Sequence, residues 1–141
     1  MNLGTAVNYR VVLDTNILIS AIGFGGKPRK ILLLTLGDNF QGVTSSILLA
    51  EFHEVIIKKF PELQKILPIV ERKISKKFLI VKPRKTLDIL KDKDDNRVLE
   101  AAIEGNCAFI VTGDKELLKL KNYQGIKVLT AEEFLSVRRY S

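Results

Sequence analysis

Apolar residues in this chain gather into short runs, separated by longer stretches in which they recur with helical spacing. Runs that read as strands occupy 10–13, the neighbourhood of 41–44, 78–81, 108–111 and 126–129. Val11-Val12-Leu13 has the β-branched, uninterrupted character of a strand covered on both faces. Between the runs the pattern predicts helices, the first from about Asn16 to Ile22. A Gly-Phe-Gly-Gly break follows, and a second helix opens near Pro28 and ends before Gly37. Ser45 or Ser46 is placed to cap a helix from Ile47 to Lys59, with apolar residues at 48, 49, 52, 55 and 56. Pro61 opens a further helix through Ile69 and Val70, bent at Pro68. Asp95 to Glu104 forms another, with Val98, Leu99, Ala102 and Ile103 facing inward, and Thr130 and Glu133 make a Thr-x-x-Glu capping box for a last short helix.

Strands alternating with helices imply parallel strands joined by right-handed crossovers, with helices on both faces. The expected fold is α/β, a three-layer α/β/α domain around a central parallel sheet of four to five strands. No internal repeat or low-complexity linker divides the chain, so residues 1–141 read as one domain with a core of about 8–137 and frayed ends before Asn8 and after Val137. A chain of 141 residues is long enough to bury roughly two-thirds of its unfolded surface.

Composition narrows the setting. With 46% hydrophobic and 28% charged residues the sequence is that of an ordinary globular protein. No stretch reaches the ~18 uncharged apolar residues of a membrane span. The first residues show no signal peptide, and the single Cys107, read as a small buried or half-buried thiol, suits a reducing cytoplasm. The net charge of +7 admits an anionic partner such as nucleic acid, although lysine-rich surfaces are common without one. More informative is that several acids stand at the ends of apolar runs instead of mixing with the lysines on helix faces.

In "VVLDTNILIS", Asp14 arrives where the first strand leaves the core, and Asp114 stands just past the run 108–111, in Thr112-Gly113-Asp114. If those two strands are parallel, both carboxylates emerge on the edge of the sheet where open α/β folds bind ligands. Glu51, in "SSILLAEFHEV", lies on the inward side of its helix or at its border, where a boundary residue with its head in water is the alternative. Asp95, in "KDKDDNRVLEAA", lies at a helix start; it could instead be an N-cap, and Asp92 and Asp94 compete for either role. Two carboxylates ~5 Å apart at an effective dielectric of about 20 repel by about 3 kcal/mol, so four together need a cation or strongly raised pKa values. An all-oxygen cluster without paired histidine or cysteine suits Mg²⁺ or Mn²⁺, which can polarise a phosphate and activate water for in-line attack. Asn16 and Thr112, beside the carboxylates, are candidates to orient them by hydrogen bonds.

Other readings fit less well. A haloacid-dehalogenase-type phosphatase needs a second aspartate where Asn16 stands, and a dinucleotide-binding turn needs glycines where Asp-Thr-Asn stands. "GFGGKP" at 23–28 follows a helix and lacks Gly-Lys-Ser/Thr, so it reads as a helix–helix turn. His53, the only histidine, reads as a surface or packing residue. Lys58, Lys59, Arg72, Lys73, Lys76 and Lys77 read as a solvated face that can also meet RNA phosphates.

Together, "VVLDTNILISA", "SSILLAEFHEV", "DDNRVLEAA" and "FIVTGDKELL" resemble a PIN domain in order and approximate spacing, from about residue 10 to residue 135. The stretch from Asp92 to Leu118 is most similar to PIN toxins of prokaryotic toxin–antitoxin pairs, related to VapC-type toxins. The resemblance implies a Mg²⁺- or Mn²⁺-dependent endoribonuclease acting on single-stranded or looped RNA. It places the catalytic, metal-ligating acids at Asp14, Glu51, Asp95 and Asp114, with Asn16 and Thr112 in support. It also implies a homodimer and a small antitoxin whose segment covers the acidic cleft; the apolar helix around Ile31 to Leu36 reads as core or interface. The alternative is a non-catalytic RNA- or protein-binding PIN module, but a pure RNA binder gains nothing from negative charge in its cleft.

Overall fold

The computed structural model describes residues 9–138. The two ends expected to fray lie outside these, apart from Arg138, which still belongs to the last helix. Strand β1 (Tyr9–Leu13) leads into helices α1 (Thr15–Gly23) and α2 (Gly26–Leu36), then β2 (Phe40–Ser45), α3 (Ser46–Lys59) and α4 (Leu67–Lys77). Strand β3 (Leu79–Val81) is followed by α5 (Lys93–Glu104), β4 (Phe109–Val111), α6 (Lys115–Leu120), β5 (Asn122–Tyr123), β6 (Ile126–Leu129) and α7 (Ala131–Arg138).

The strands lie in the order β3-β2-β1-β4-β6-β5, all parallel except β5. The five parallel strands fall on the five apolar runs. The sixth strand was not expected: β5 is two residues long, too short to show a pattern, and turns back on β6 through Gln124 and Gly125, both at positive φ.

Successive side chains of a strand point to opposite faces, and the two apolar cores follow that alternation. Val11, Leu13, Phe109 and Val111 face one core, which α1, α2, α4 and α7 cover together with Phe52 and Ile56 of α3. Val12, Val43, Ile110 and Val128 face the other, beneath Val98, Leu99, Ala101 and Ala102 of α5 and Leu117 of α6. Within α2, Ile31 and Leu32 are buried in the first core, whereas Leu33 is exposed.

Local signals behave as their chemistry dictates. The Ser45 hydroxyl accepts the Leu48 amide at 3.3 Å, and Thr130 and Glu133 exchange bonds of 2.9 and 3.1 Å as a reciprocal capping box. Within the 23–28 segment, Phe24 and Gly25 make the sharp turn between α1 and α2, with Gly25 and Gly26 at φ of 80° and 64°. Pro68 does not bend a long helix. Pro61–Leu63 is a 3₁₀ turn, and Pro68 lies in the first turn of α4, where its fixed φ and missing N–H are tolerated.

Phe78 closes the first core at the end of α4 and lies over Gly42 in β2; a Cβ on Gly42 would stand 2.5 Å from the phenyl ring. Gly42→Ala is therefore expected to destabilise the protein by about 1–3 kcal/mol in urea unfolding. Adding Phe78→Leu should recover part of that loss. An unchanged urea midpoint for Gly42→Ala would show that the ring is free to move aside.

Candidate metal centre

Strand order reverses between β1 and β4: the chain leaves β1 toward β2 and β3, then crosses back under α5 to begin β4 on the other side. Such a switch point opens a crevice at the carboxyl ends of the two strands. Leu13 pairs with Val111 in register, and the Asp14 amide donates to the Val111 carbonyl at 3.0 Å, carrying the ladder one residue past the strand. Asp14 and Asp114 thus share one edge of the sheet.

Asp14 is 7% exposed and precedes α1, yet its carboxylate makes no capping bond to that helix. Its Oδ2 accepts the Thr112 hydroxyl at 2.7 Å, and Thr112 Oγ1 accepts the Asp114 amide at 3.0 Å. Thr112 therefore bonds the Asp14 carboxylate and the Asp114 backbone at once. Asn16 does not: its side chain is exposed and makes no hydrogen bond among the described residues. Asp114 caps α6, its Oδ1 accepting the amides of Glu116 at 2.8 Å and Leu117 at 3.2 Å.

Asp95 lies in the first turn of α5 and is 5% exposed. The capping role belongs to Asp92, whose Oδ1 accepts the Asp94 amide at 2.8 Å. Asp95 is thereby free to face the crevice, and its Oδ2 is buried with no hydrogen-bond partner. One carboxylate oxygen from each of Asp92, Asp95 and Asp114 lies within 4.8 Å of the others. Glu51, half-buried on α3, has Asp94, Thr15 and Asp14 as its neighbours. Beside it a groove of about 430 Å³ runs along α3, from Glu51 and Asp94 to Lys58 and Lys59.

Thr15 is the neighbour that patterning did not mark. The Thr15 hydroxyl is buried beside Glu51, an arrangement visible only once α1 and α3 are packed. The sequence does offer Asp94, as one member of the acidic run 92–95. His53 stands apart from the acids and pairs with Glu71 of α4 at 2.8 Å. Burial pushes the Cys107 thiol up to about 12, which leaves it an inert core residue.

The electrostatics record the crowding. Burial raises the Asp14 pKa, opposed by the Thr112 hydroxyl and reinforced by Asp114. Burial is also the first cause that brings Glu51 to about 7, with Asp94 adding to it and Thr15 working against it. Asp95 rises to about 7 through burial, then repulsion from Asp114, Asp92 and Asp14. The donor set is all oxygen, includes an orphaned buried carboxylate oxygen, and lacks compensating cations within it, which fits a hard divalent ion such as Mg²⁺ or Mn²⁺.

A pH dependence follows for the metal-free protein. Glu51 and Asp95 titrate near 7 when folded, against ordinary values of 4.5 and 3.8, so the folded state holds more protons between those limits. The stability they contribute is complete below the unfolded values and is lost as pH rises through about 7. With chelator present, urea midpoints should therefore fall from about pH 5 to about pH 8, and Asp95→Asn should flatten the fall. A midpoint that rises across that range would contradict the clustering.

Comparisons with known proteins bear on the family and the fold. An uncharacterized protein of Methanocaldococcus jannaschii is 34% identical over 144 residues, covering 92% of this chain and 91% of its own length. The crystal structure of VapBC2 from Rickettsia felis, bound to a DNA fragment from their promoter, superposes with a TM-score of 0.60 at 20% identity. That match covers 86% of this chain and 98% of the other. The crystal structure of PAE2754 from Pyrobaculum aerophilum gives 0.58 at 13% identity, covering 95% and 91%. At those identities the two structures share the fold. The family model described as PIN domain matches residues 10–116, which runs from β1 into α6 and carries every acid of the crevice, and the chain belongs to the PIN-domain family.

Proposed function

We propose that this PIN-domain protein is a divalent-metal-dependent endoribonuclease that cleaves single-stranded or looped RNA. Asp14, Glu51, Asp95 and Asp114 are its metal-holding and catalytic acids. The observation that carries the reading is the buried, unpartnered Asp95 oxygen among acids whose pKa values are raised by burial and mutual repulsion. Such a cluster is a liability in a purely structural or RNA-binding surface, and it is relieved by a cation. A Mg²⁺ or Mn²⁺ bound there would polarise a phosphodiester and lower the pKa of a water.

The rest of the work falls to the chain. Thr112 holds Asp14 and the Asp114 backbone in one orientation. Near neutral pH and without metal, Glu51 and Asp95 carry protons for part of the time, so loading the site requires their release. Lys58 and Lys59, exposed at the end of the groove beside Glu51, supply positive charge for RNA phosphates, as do the exposed Arg72, Lys73, Lys76 and Lys77 of α4. Lys91, Lys93 and Lys115 flank the acid-bearing turns in sequence and are exposed without ion pairs among the described residues.

The VapBC2 fold likeness supports a place in a toxin–antitoxin pair, with a homodimer and a small antitoxin as the expected assembly. A basic antitoxin segment reaching the crevice would replace the cation's charge through Arg–carboxylate pairs. No helix among the described residues is long and apolar enough to cross a membrane. A cytoplasmic setting is the one in which such a ribonuclease meets RNA.

Cleavage of a single-stranded RNA should require Mg²⁺ or Mn²⁺ and stop with chelator. Losing several kcal/mol of charge stabilisation, at ~1.4 kcal/mol per decade, should slow Asp14→Asn by at least about a hundredfold. Activity surviving both the chelator and the substitution would mean a contaminant or another chemistry. Binding confined to the folded form should also stabilise it by ~2.7 kcal/mol at one hundred times the dissociation constant, read as a rise in melting temperature. No rise at millimolar ion would count against the centre.

A further inference from the structure

The crossover from β3 to α5, residues 82–92, contains no helix or strand, yet α5 holds it by buried side chains. Asn96, 1% exposed, accepts the amides of Ile89 at 3.0 Å and Leu90 at 2.9 Å through one oxygen and donates to the Leu90 carbonyl at 2.9 Å. One turn further, Glu100 accepts the Leu87 amide at 2.7 Å and pairs with Arg97 at 2.9 Å; Arg97 in turn donates to the Leu87 carbonyl at 3.0 Å. A buried amide and carboxylate are costly unless bonded, and here their partners are concentrated on one short backbone segment. Two residues beyond Leu90 comes Asp92, whose exposed carboxylate is held against Asp95 and Asp114 despite their repulsion.

We propose that Asp92 is a further oxygen donor to the metal centre, and that Asn96 and Glu100 are the positioning residues that keep it in place. The proposal rests on the metal-centre reading above. Two independent observations converge on it: the 4.8 Å grouping of Asp92, Asp95 and Asp114, and the nine-tenths-buried Asp95 with an unpartnered oxygen in that grouping. Freed from the clamp, Asp92 would keep only its cap bond to the Asp94 amide to hold it against the repulsion of two like charges. The clamp thus preorganises a donor that electrostatics would otherwise expel in the absence of the ion.

The test is a Mn²⁺ titration of the melting temperature of the full chain, beside metal-free urea stability for each variant. Asp92→Asn and Asn96→Ala should each raise the Mn²⁺ midpoint about tenfold or more, the range for groups that orient metal ligands. The double variant should shift little beyond either single one, because Asn96 acts through Asp92. Glu100→Ala should shift the midpoint similarly, while Glu100→Gln, which keeps an acceptor for the Leu87 amide, should stay within about threefold of wild type. That pair decides the question if Asn96→Ala does not fold. Asp88→Asn removes an exposed charge from the same segment and should leave the midpoint within about twofold. An unchanged midpoint in Asp92→Asn, or fully additive shifts in the double variant, overturns the proposal while leaving the metal centre intact. A folded wild type with no Mn²⁺ response overturns the centre and this inference together.

Discussion

Parallel pairing of β1 with β4 is the contact on which the site depends. It joins segments almost a hundred residues apart, with Leu13 beside Val111, and continues through the Asp14 amide into the loop that carries Thr112 and Asp114. The same pair marks the reversal of strand order, so the crevice and the two aspartates are consequences of one register. A one-residue slip would exchange the faces of Val11, Val12 and Leu13 between the two cores and break the Thr112–Asp14 bond. Burial of the apolar runs therefore fixes the position of the polar chemistry.

Helix ends help the edge tolerate its charge. Asp14 precedes α1, Asp92 caps α5 and Asp114 caps α6, so three helix N-termini meet carboxylates. Each such end favours a negative charge by typically 0.3–1 kcal/mol, against a repulsion of about 3 kcal/mol for each carboxylate pair ~5 Å apart. The dipoles fall short of balancing the cluster. Burial first, and this remaining repulsion after it, raise the pKa values of Asp14, Glu51 and Asp95. The Thr112 hydroxyl bond works in the opposite direction, keeping Asp14 closer to its charged form.

Much of the architecture was legible along the chain. All five parallel strands lie on apolar runs, because strands buried on both faces must be continuously apolar, and the caps at Ser45 and Thr130 carry their own chemistry. Less legible were features without a periodic imprint. The two-residue β5 exists through its pairing with β6, and Pro68 belongs to the opening turn of α4 instead of a bend. Among the site candidates, Thr112 hydrogen-bonds Asp14, whereas the Asn16 side chain is exposed because α1 turns its Asp-Thr-Asn corner with Thr15 inward.

What the sequence determined by itself is the alternation of strands and helices and the residue types gathered at strand and helix ends. Those follow from local periodicity and backbone chemistry, which neighbouring residues are enough to express. Which acids meet, and through which oxygen, was decided by the tertiary structure. Asp92, Asp94 and Asp95 are indistinguishable as a run of acids, and helix geometry sorts them. One caps α5, one approaches Glu51, and one is buried with an unpartnered oxygen. Asn96 and Glu100 likewise look like ordinary polar helix residues until the 82–92 crossover folds back over them. Distances across a crevice depend on strand register and helix rotation set by the whole core, and no stretch of sequence holds that information alone.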